Sequence, residues 1–159
     1  MTANKTVFFI IGVLLVILGS FMLIPYLIQI LYQENSHSFL SSAFLTIFIG
    51  ILFILTNLEK DFQLNLQQTF LFSTLAWFSV PIFGSLPFIF STLNFSFSEA
   101  FFESMSGITT TGSTVIANLD NSPKSILLWR SIMQWLGGIG IIVMAITVLP
   151  LLKVGGMQL

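Results

Sequence analysis

The sequence predicts an all-α integral membrane fold of four transmembrane helices plus one re-entrant half-length helix and a short extended strand. Three observations carry this. Of 159 residues, 55% are hydrophobic and only 7% charged, with a mean hydropathy of +0.99; a soluble domain carries about 25% charged residues. The apolar residues gather into four runs, each long enough to cross a hydrocarbon core of about 30 Å. Between the third and fourth lies Phe101-Phe102-Glu103-Ser104-Met105-Ser106-Gly107-Ile108-Thr109-Thr110-Thr111-Gly112-Ser113, which is too short and too polar to cross by itself.

The first span is read over Val7–Tyr32. The uncharged run from Val7 to Gln33 far exceeds the roughly 7–15 apolar residues of a signal peptide, so this helix is expected to be retained. Pro25 should kink it. Gln33–Ser38 is a polar linker, and Phe39–Thr56 is the second span. Asn57–Asn65, with Glu59, Lys60 and Asp61, is the next polar break. The third helix is read over Gln67–Pro87, bent or ended by Pro81 and Gly84, and Ser91–Ser96 is a loop. The last span is Pro123–Leu149, with Ser122 as N-cap, Pro123 at the first helical position and Pro150 stopping the run. Two units follow: an N-terminal transmembrane hairpin over residues 1–60 and a helix–loop–helix repeat over 61–159. With the N-terminus cytoplasmic, Lys5, Lys60 and Lys153 lie inside, against Lys124 and Arg130 outside.

Composition also excludes. The net charge of -1 offers no basic face for nucleic acid, and the chain has no cysteine and a single histidine, His37. Thiol catalysis, disulfides and metal sites built on thiolates or a histidine cluster therefore lack their residues. There is no phosphate loop and no Ser–His–Asp set. No enzyme activity and no cofactor are assigned.

The central loop begins with Ser96-Phe97-Ser98-Glu99, a capping box with Ser96 at the N-cap and Glu99 three residues on. Gly107 suits the position just past a helix end. The helix between them, Phe97–Ser106, is about 15 Å long, half the membrane core, and its C-terminal end directs partial negative charge toward the bilayer centre. In Thr109-Thr110-Thr111-Gly112-Ser113, threonine favours extended backbone and Gly112 permits dihedrals closed to other residues. Irregular backbone at membrane depth is tolerated where it lines a watery cavity or is buried in protein. Its carbonyls can replace the hydration shell of an alkali cation. The alternative is an ordinary extramembrane loop.

Two stretches sharpen the choice: Phe102 to Val115, with Gly107-Ile108-Thr109-Thr110-Thr111-Gly112-Ser113 at its centre, and Leu127 to Ile141, containing Trp129-Arg130 and Gln134-Trp135-Leu136-Gly137-Gly138-Ile139-Gly140. Together they closely resemble the Trk/Ktr potassium-uptake family, specifically its TrkH-type membrane subunit. The resemblance implies two leading helices followed by the first of four helix–pore loop–helix repeats. It implies that Gly112 is the filter glycine, that Thr109, Thr110, Thr111 and Ser113 line or support the ion path, and that K⁺ is held at Thr110, Thr111 and Gly112. It further implies a homodimer of the full membrane subunit in the inner (plasma) membrane, with a cytosolic nucleotide-binding regulatory subunit.

One filter strand is a quarter of a carbonyl ring. Three explanations stand: the remaining pore repeats are missing from this chain, several copies form a homotetrameric cation channel, or the product conducts nothing. The ending at Leu159 without a tail favours the first. A non-conducting membrane interaction or scaffold protein is the reading from another class.

Among other residues, Glu99 and Glu103 support the pore loop or attract cations. Glu103 needs a partner: either Arg130 pairs with it, or Arg130 snorkels to the headgroups. Asp120 is a solvated turn residue or a cation attractor. Gly137, Gly138 and Gly140 serve close packing or a hinge. Trp129 suits the outer aromatic belt, and Trp135 packs against a neighbour. The many phenylalanines are expected to face lipid.

Overall fold

The computed structural model describes residues 4–34, 36–58 and 64–151. Lys60 and Lys153, on which the orientation partly rests, lie outside them, as do Glu59 and Asp61. The elements are α1 (Lys5–Phe21), α2 (Leu23–Leu31), α3 (Ser38–Thr56), α4 (Leu66–Gly84), α5 (Leu86–Ile89), α6 (Phe97–Ile108) and α7 (Lys124–Leu151). No strand occurs among the described residues. Four stretches are long and apolar enough to cross a membrane: Lys5–Leu31, Ser38–Thr56, Leu66–Ile89 and Lys124–Val143.

Each break has a local cause. Pro25 has no N–H to offer the carbonyl of Phe21, and its ring presses on it; α1 ends at Phe21 and α2 resumes after Met22. The first span is thus interrupted at Met22, three residues before Pro25, with Met22 itself still in helical dihedrals. Helix α4 opens with a capping box in which Gln68 N–H donates to Asn65 Oδ1 (2.8 Å) and Asn65 N–H to Gln68 Oε1 (2.9 Å). It ends at Gly84, and the short α5 carries Pro87. Helix α7 runs through Pro150 to Leu151, the last described residue, instead of stopping before the proline.

Small residues set the closest approaches. Gly12 of α1 faces Gly50 of α3, and a Cβ on either would come within 2.7 or 2.8 Å of the other's carbonyl oxygen. Without water between helices to squeeze out, close van der Waals contact is what holds membrane helices together. Helix α1 also touches α4, and α2 touches α7, so the first two spans pack on the helices that follow them.

The main core joins the first two spans to the rest of the chain: Met22 and Phe39 pack with Phe88, Ile108, Trp129 and Met133. The aromatics divide accordingly. Phe39 and Phe88 are fully buried, whereas Phe44 and Phe48 stack on each other on the outer face of α3.

Trp129 departs from its expected place in an outer aromatic belt. It is fully buried, meets Phe39 edge-on, and donates from Nε1 to the carbonyl of Gly84 (3.0 Å). The turn at Ser85 explains the attraction: Phe88 N–H bonds to Ser85, which leaves Gly84's carbonyl needing a donor. Trp129→Phe is expected to orphan that carbonyl at a cost of about 1–3 kcal/mol, seen as a lower thermal midpoint of the detergent-purified complete protein.

Candidate functional site

The candidate site is built on α6, a helix of 12 residues and so about 18 Å long. Its start follows the sequence closely. Glu99 N–H donates to Ser96 Oγ (3.4 Å), while Ser96 N–H and Oγ both donate to Glu99 Oε2 (2.8 and 2.7 Å). The Ser96 hydroxyl, and after it the Ser96 backbone N–H, hold the exposed Glu99 carboxyl below the usual carboxylate range.

Its end is different from the sequence expectation. Gly107 does not terminate the helix; it lies inside it because α7 crosses there, and a Cβ on Gly107 would stand 3.0 Å from Met133 Cβ. The helix runs to Ile108. Thr111 N–H then bonds back to the Ser106 carbonyl (3.0 Å) and Thr110 N–H to that of Gly107 (2.9 Å). This is a Schellman closure, whose left-handed position glycine usually fills. Here Thr110 fills it, at φ 58°, although a β-branched side chain makes that conformation costly. Thr111 lies between Thr110 and Gly112, and Gly112 returns to positive φ at 78°. Among the described residues, the carbonyls of Thr110, Thr111 and Gly112 accept no hydrogen bond. Residues 110–113 are all exposed on this chain.

Side chains brace the loop from behind. Thr109 Oγ1 donates to the Met105 carbonyl (2.8 Å) and shares a hydrogen bond with Thr111 Oγ1 (2.9 Å). Ser106 Oγ donates to the Ser113 carbonyl (2.6 Å), which ties that carbonyl to the helix. Beyond the loop, Thr114 Oγ1 and Val115 N–H each donate to Glu103 Oε2 at 3.0 Å. The other carboxylate oxygen, Oε1, forms an ion pair with Arg130 Nε. Glu103 is buried, and the Arg130 side chain is 15% exposed. Glu103 therefore fastens α6, the chain at Thr114 and Val115, and α7 at one point. Glu99 stays at the exposed start of α6, apart from this cluster.

Helix α7 reaches the loop again further along. Gln134 Nε2 would stand 3.7 Å from a Cβ on Gly112. Gly137 lies against Ile108, where a Cβ would fall 1.9 Å from the carbonyl oxygen, while Gly138 and Gly140 have nothing within 4 Å of theirs. Of the three glycines, Gly137 is the one that close packing inside this chain requires. Gly137→Ala is expected to push α7 off α6, costing about 1–3 kcal/mol by overpacking, with reduced yield of folded complete protein in detergent as the readout. Trp135 meets Phe21 edge-on at 6.0 Å and is otherwise half exposed. Asp120 and Lys124 line an open recess of about 350 Å³ with Arg130 and Gln134. No cluster of three or more His, Asp or Glu suited to a metal occurs among the described residues.

The start of α7 differs from the sequence expectation. Ser122 does not cap it; its hydroxyl donates to the Asn118 carbonyl (2.8 Å). Pro123 stands one residue before the helix, and its carbonyl accepts from Leu127 N–H (3.1 Å). The cap comes from Glu34, whose carboxylate accepts from Ser125 N–H (3.2 Å) and from Ser125 Oγ. Pattern-reading finds caps a few residues away; this one is 91 residues distant.

Comparison with known proteins agrees with this architecture. Residues 35–159 match the family model described as TrkH, a cation transport protein. The Trk system potassium uptake protein TrkH of Escherichia coli K12 is 41% identical over 152 residues, which are 94% of this chain and 32% of that protein. TrkI of Halomonas elongata is 41% identical, with 94% of this chain and 31% of that protein aligned. The crystal structure of the potassium transporter TrkH from Vibrio parahaemolyticus superposes with a TM-score of 0.89 at 40% identity, over 97% of this chain and 33% of that one. The chain thus spans about a third of the length of these relatives, and its helices make it a multi-pass membrane protein. It belongs to the TrkH family of cation transport proteins.

Proposed function

We propose that this chain supplies one of four pore-loop repeats to a potassium-uptake protein, with K⁺ held by backbone carbonyls at Thr110, Thr111 and Gly112. One observation carries the reading. A capped half-length helix ends in an exposed turn with positive φ at Thr110 and Gly112, and the carbonyls from Thr110 to Gly112 accept no hydrogen bond. Unbonded carbonyls at membrane depth are costly unless something replaces the missing donors. An alkali cation shared with three similar loops does so without ionised ligands. The names of the relatives, potassium uptake proteins and a potassium transporter, support the choice of ion. Thr109 and Ser113 then act as supports, through Met105 and Ser106 respectively.

On this reading the whole protein lies in the inner (plasma) membrane with the N-terminus cytoplasmic. Its partners are a second copy of the full membrane subunit and a cytosolic nucleotide-binding regulatory subunit. The test is transport by the complete protein containing this chain. It should restore growth of a potassium-uptake-deficient bacterium at limiting K⁺, and should admit Rb⁺ in preference to Na⁺ in proteoliposomes. Correctly inserted protein that passes no K⁺ or Rb⁺ overturns the proposal in favour of a non-conducting scaffold.

A further inference from the structure

We propose that Glu34, in the linker between α2 and α3, is a positioning residue for the pore loop, acting through the N-terminus of α7. The inference deepens the proposed function and rests on it.

Glu34 is itself held in place. Gln33 takes a left-handed conformation (φ 51°) at the end of α2, with Gln33 N–H bonded to Ile30 (3.2 Å) and Glu34 N–H to Gln29 (3.0 Å). This Schellman closure turns the chain sharply at Glu34. Beneath it, the buried Gln29 donates from Nε2 to Ser38 Oγ (3.3 Å) and to Ser36 Oγ. Gln33 before Glu34 and Ser36 after it are therefore each tied to α2. From this position the carboxylate takes both donors of Ser125, in the first turn of α7. A carboxylate there satisfies an orphan N–H and also faces the positive end of the helix dipole. Ser122, two residues before α7, bonds elsewhere, so the cap on this N–H comes from the linker after α2.

The register of α7 matters because three contacts with the loop follow along it. Arg130 pairs with Glu103, which in turn holds Thr114 and Val115. Gln134 stands beside Gly112, and Gly137 rests on the Ile108 carbonyl. A rigid helix advances about 1.5 Å per residue and turns 100°, so a shift at Ser125 is carried to all three. The contact at Ile108 has no slack to absorb it. The α2–α3 linker thus biases the geometry of Gly112 although it lies outside the loop.

The experiment uses the complete protein in proteoliposomes, with the wild type measured alongside. Glu34→Ala is expected to raise the half-saturating K⁺ concentration severalfold and to narrow the preference for Rb⁺ over Na⁺, in protein that remains folded and inserted. Glu34→Asp should recover part of the loss. Ser125→Ala added to Glu34→Ala should change little more, since both act on one contact. Folded Glu34→Ala with wild-type affinity and selectivity overturns the proposal. Should Glu34→Ala not fold, cysteines replacing Glu34 and Ser125 in a cysteine-free background decide the matter. Joining them with a short bifunctional thiol reagent should preserve K⁺ affinity and selectivity, and absence of any cross-link overturns the contact. A wild type that carries no K⁺ would instead defeat the proposed function, so the two failures are told apart.

Discussion

Replacing Gly112 with serine in the complete protein is expected to leave the fold intact and to remove selective uptake. The two halves of this expectation have separate causes. Space is not the obstacle, because a Cβ at this position meets only Gln134 Nε2, at an ordinary 3.7 Å. The obstacle is the backbone: Gly112 stands at φ 78°, where a side chain costs about 1–2 kcal/mol. That penalty shifts the balance between the observed conformation and a relaxed one by about 5–30-fold. The relaxed form turns at least one carbonyl of the Thr111–Gly112 pair away from its present direction.

Expression and detergent stability of Gly112→Ser should therefore stay close to wild type. Potassium-dependent growth should fall, and the ratio of Rb⁺ to Na⁺ flux should drop toward unity. Wild-type flux and selectivity in this variant would remove Gly112 from the ion path. A protein that fails to insert would contradict the open space around the glycine.

The features legible in the sequence are those set by neighbours in the chain. Four apolar runs can only be spans, Pro25 can only break the first of them, and Ser96 with Glu99 announces the start of α6. Its end is harder to read because two forces compete there. Gly107 carries the local signal of a terminus, yet Met133 presses on it from α7 and the helix continues past it. Thr110 takes the left-handed position that threonine ordinarily avoids, so no propensity argument could locate the turn. Trp129 reads locally as an interfacial aromatic because its partner, the Gly84 carbonyl 45 residues earlier in the chain, becomes free only through the helix break at Ser85. Glu34 looked like linker polarity for the same reason. Local chemistry is written in short windows, whereas a cap or donor supplied across the fold exists only after packing has brought the segments together.

Glu103 and Arg130 should carry the second large effect, and a charge swap separates their two tasks. Glu103→Ala leaves the largely buried guanidinium of Arg130 without its partner, and breaking a buried pair costs about 3–5 kcal/mol. It also removes the acceptor for Thr114 Oγ1 and Val115 N–H. Arg130→Ala leaves the carboxylate buried and unpaired, but spares those two bonds. Both single variants should therefore yield much less folded complete protein than wild type, with Glu103→Ala the worse. Exchanging the two, Glu103→Arg with Arg130→Glu, restores opposite charges across the same gap and should recover yield. It cannot restore the loop, because arginine has no acceptor for Val115 N–H. The swapped protein is thus expected to insert but to discriminate poorly between Rb⁺ and Na⁺. Recovery of both yield and selectivity would reduce Glu103 to a counter-charge for Arg130. Recovery of neither would show that the pair does not hold α6 to α7. The intermediate outcome alone fits a carboxylate that gives one oxygen to Arg130 on the neighbouring helix and the other to Thr114 and Val115 beyond the loop.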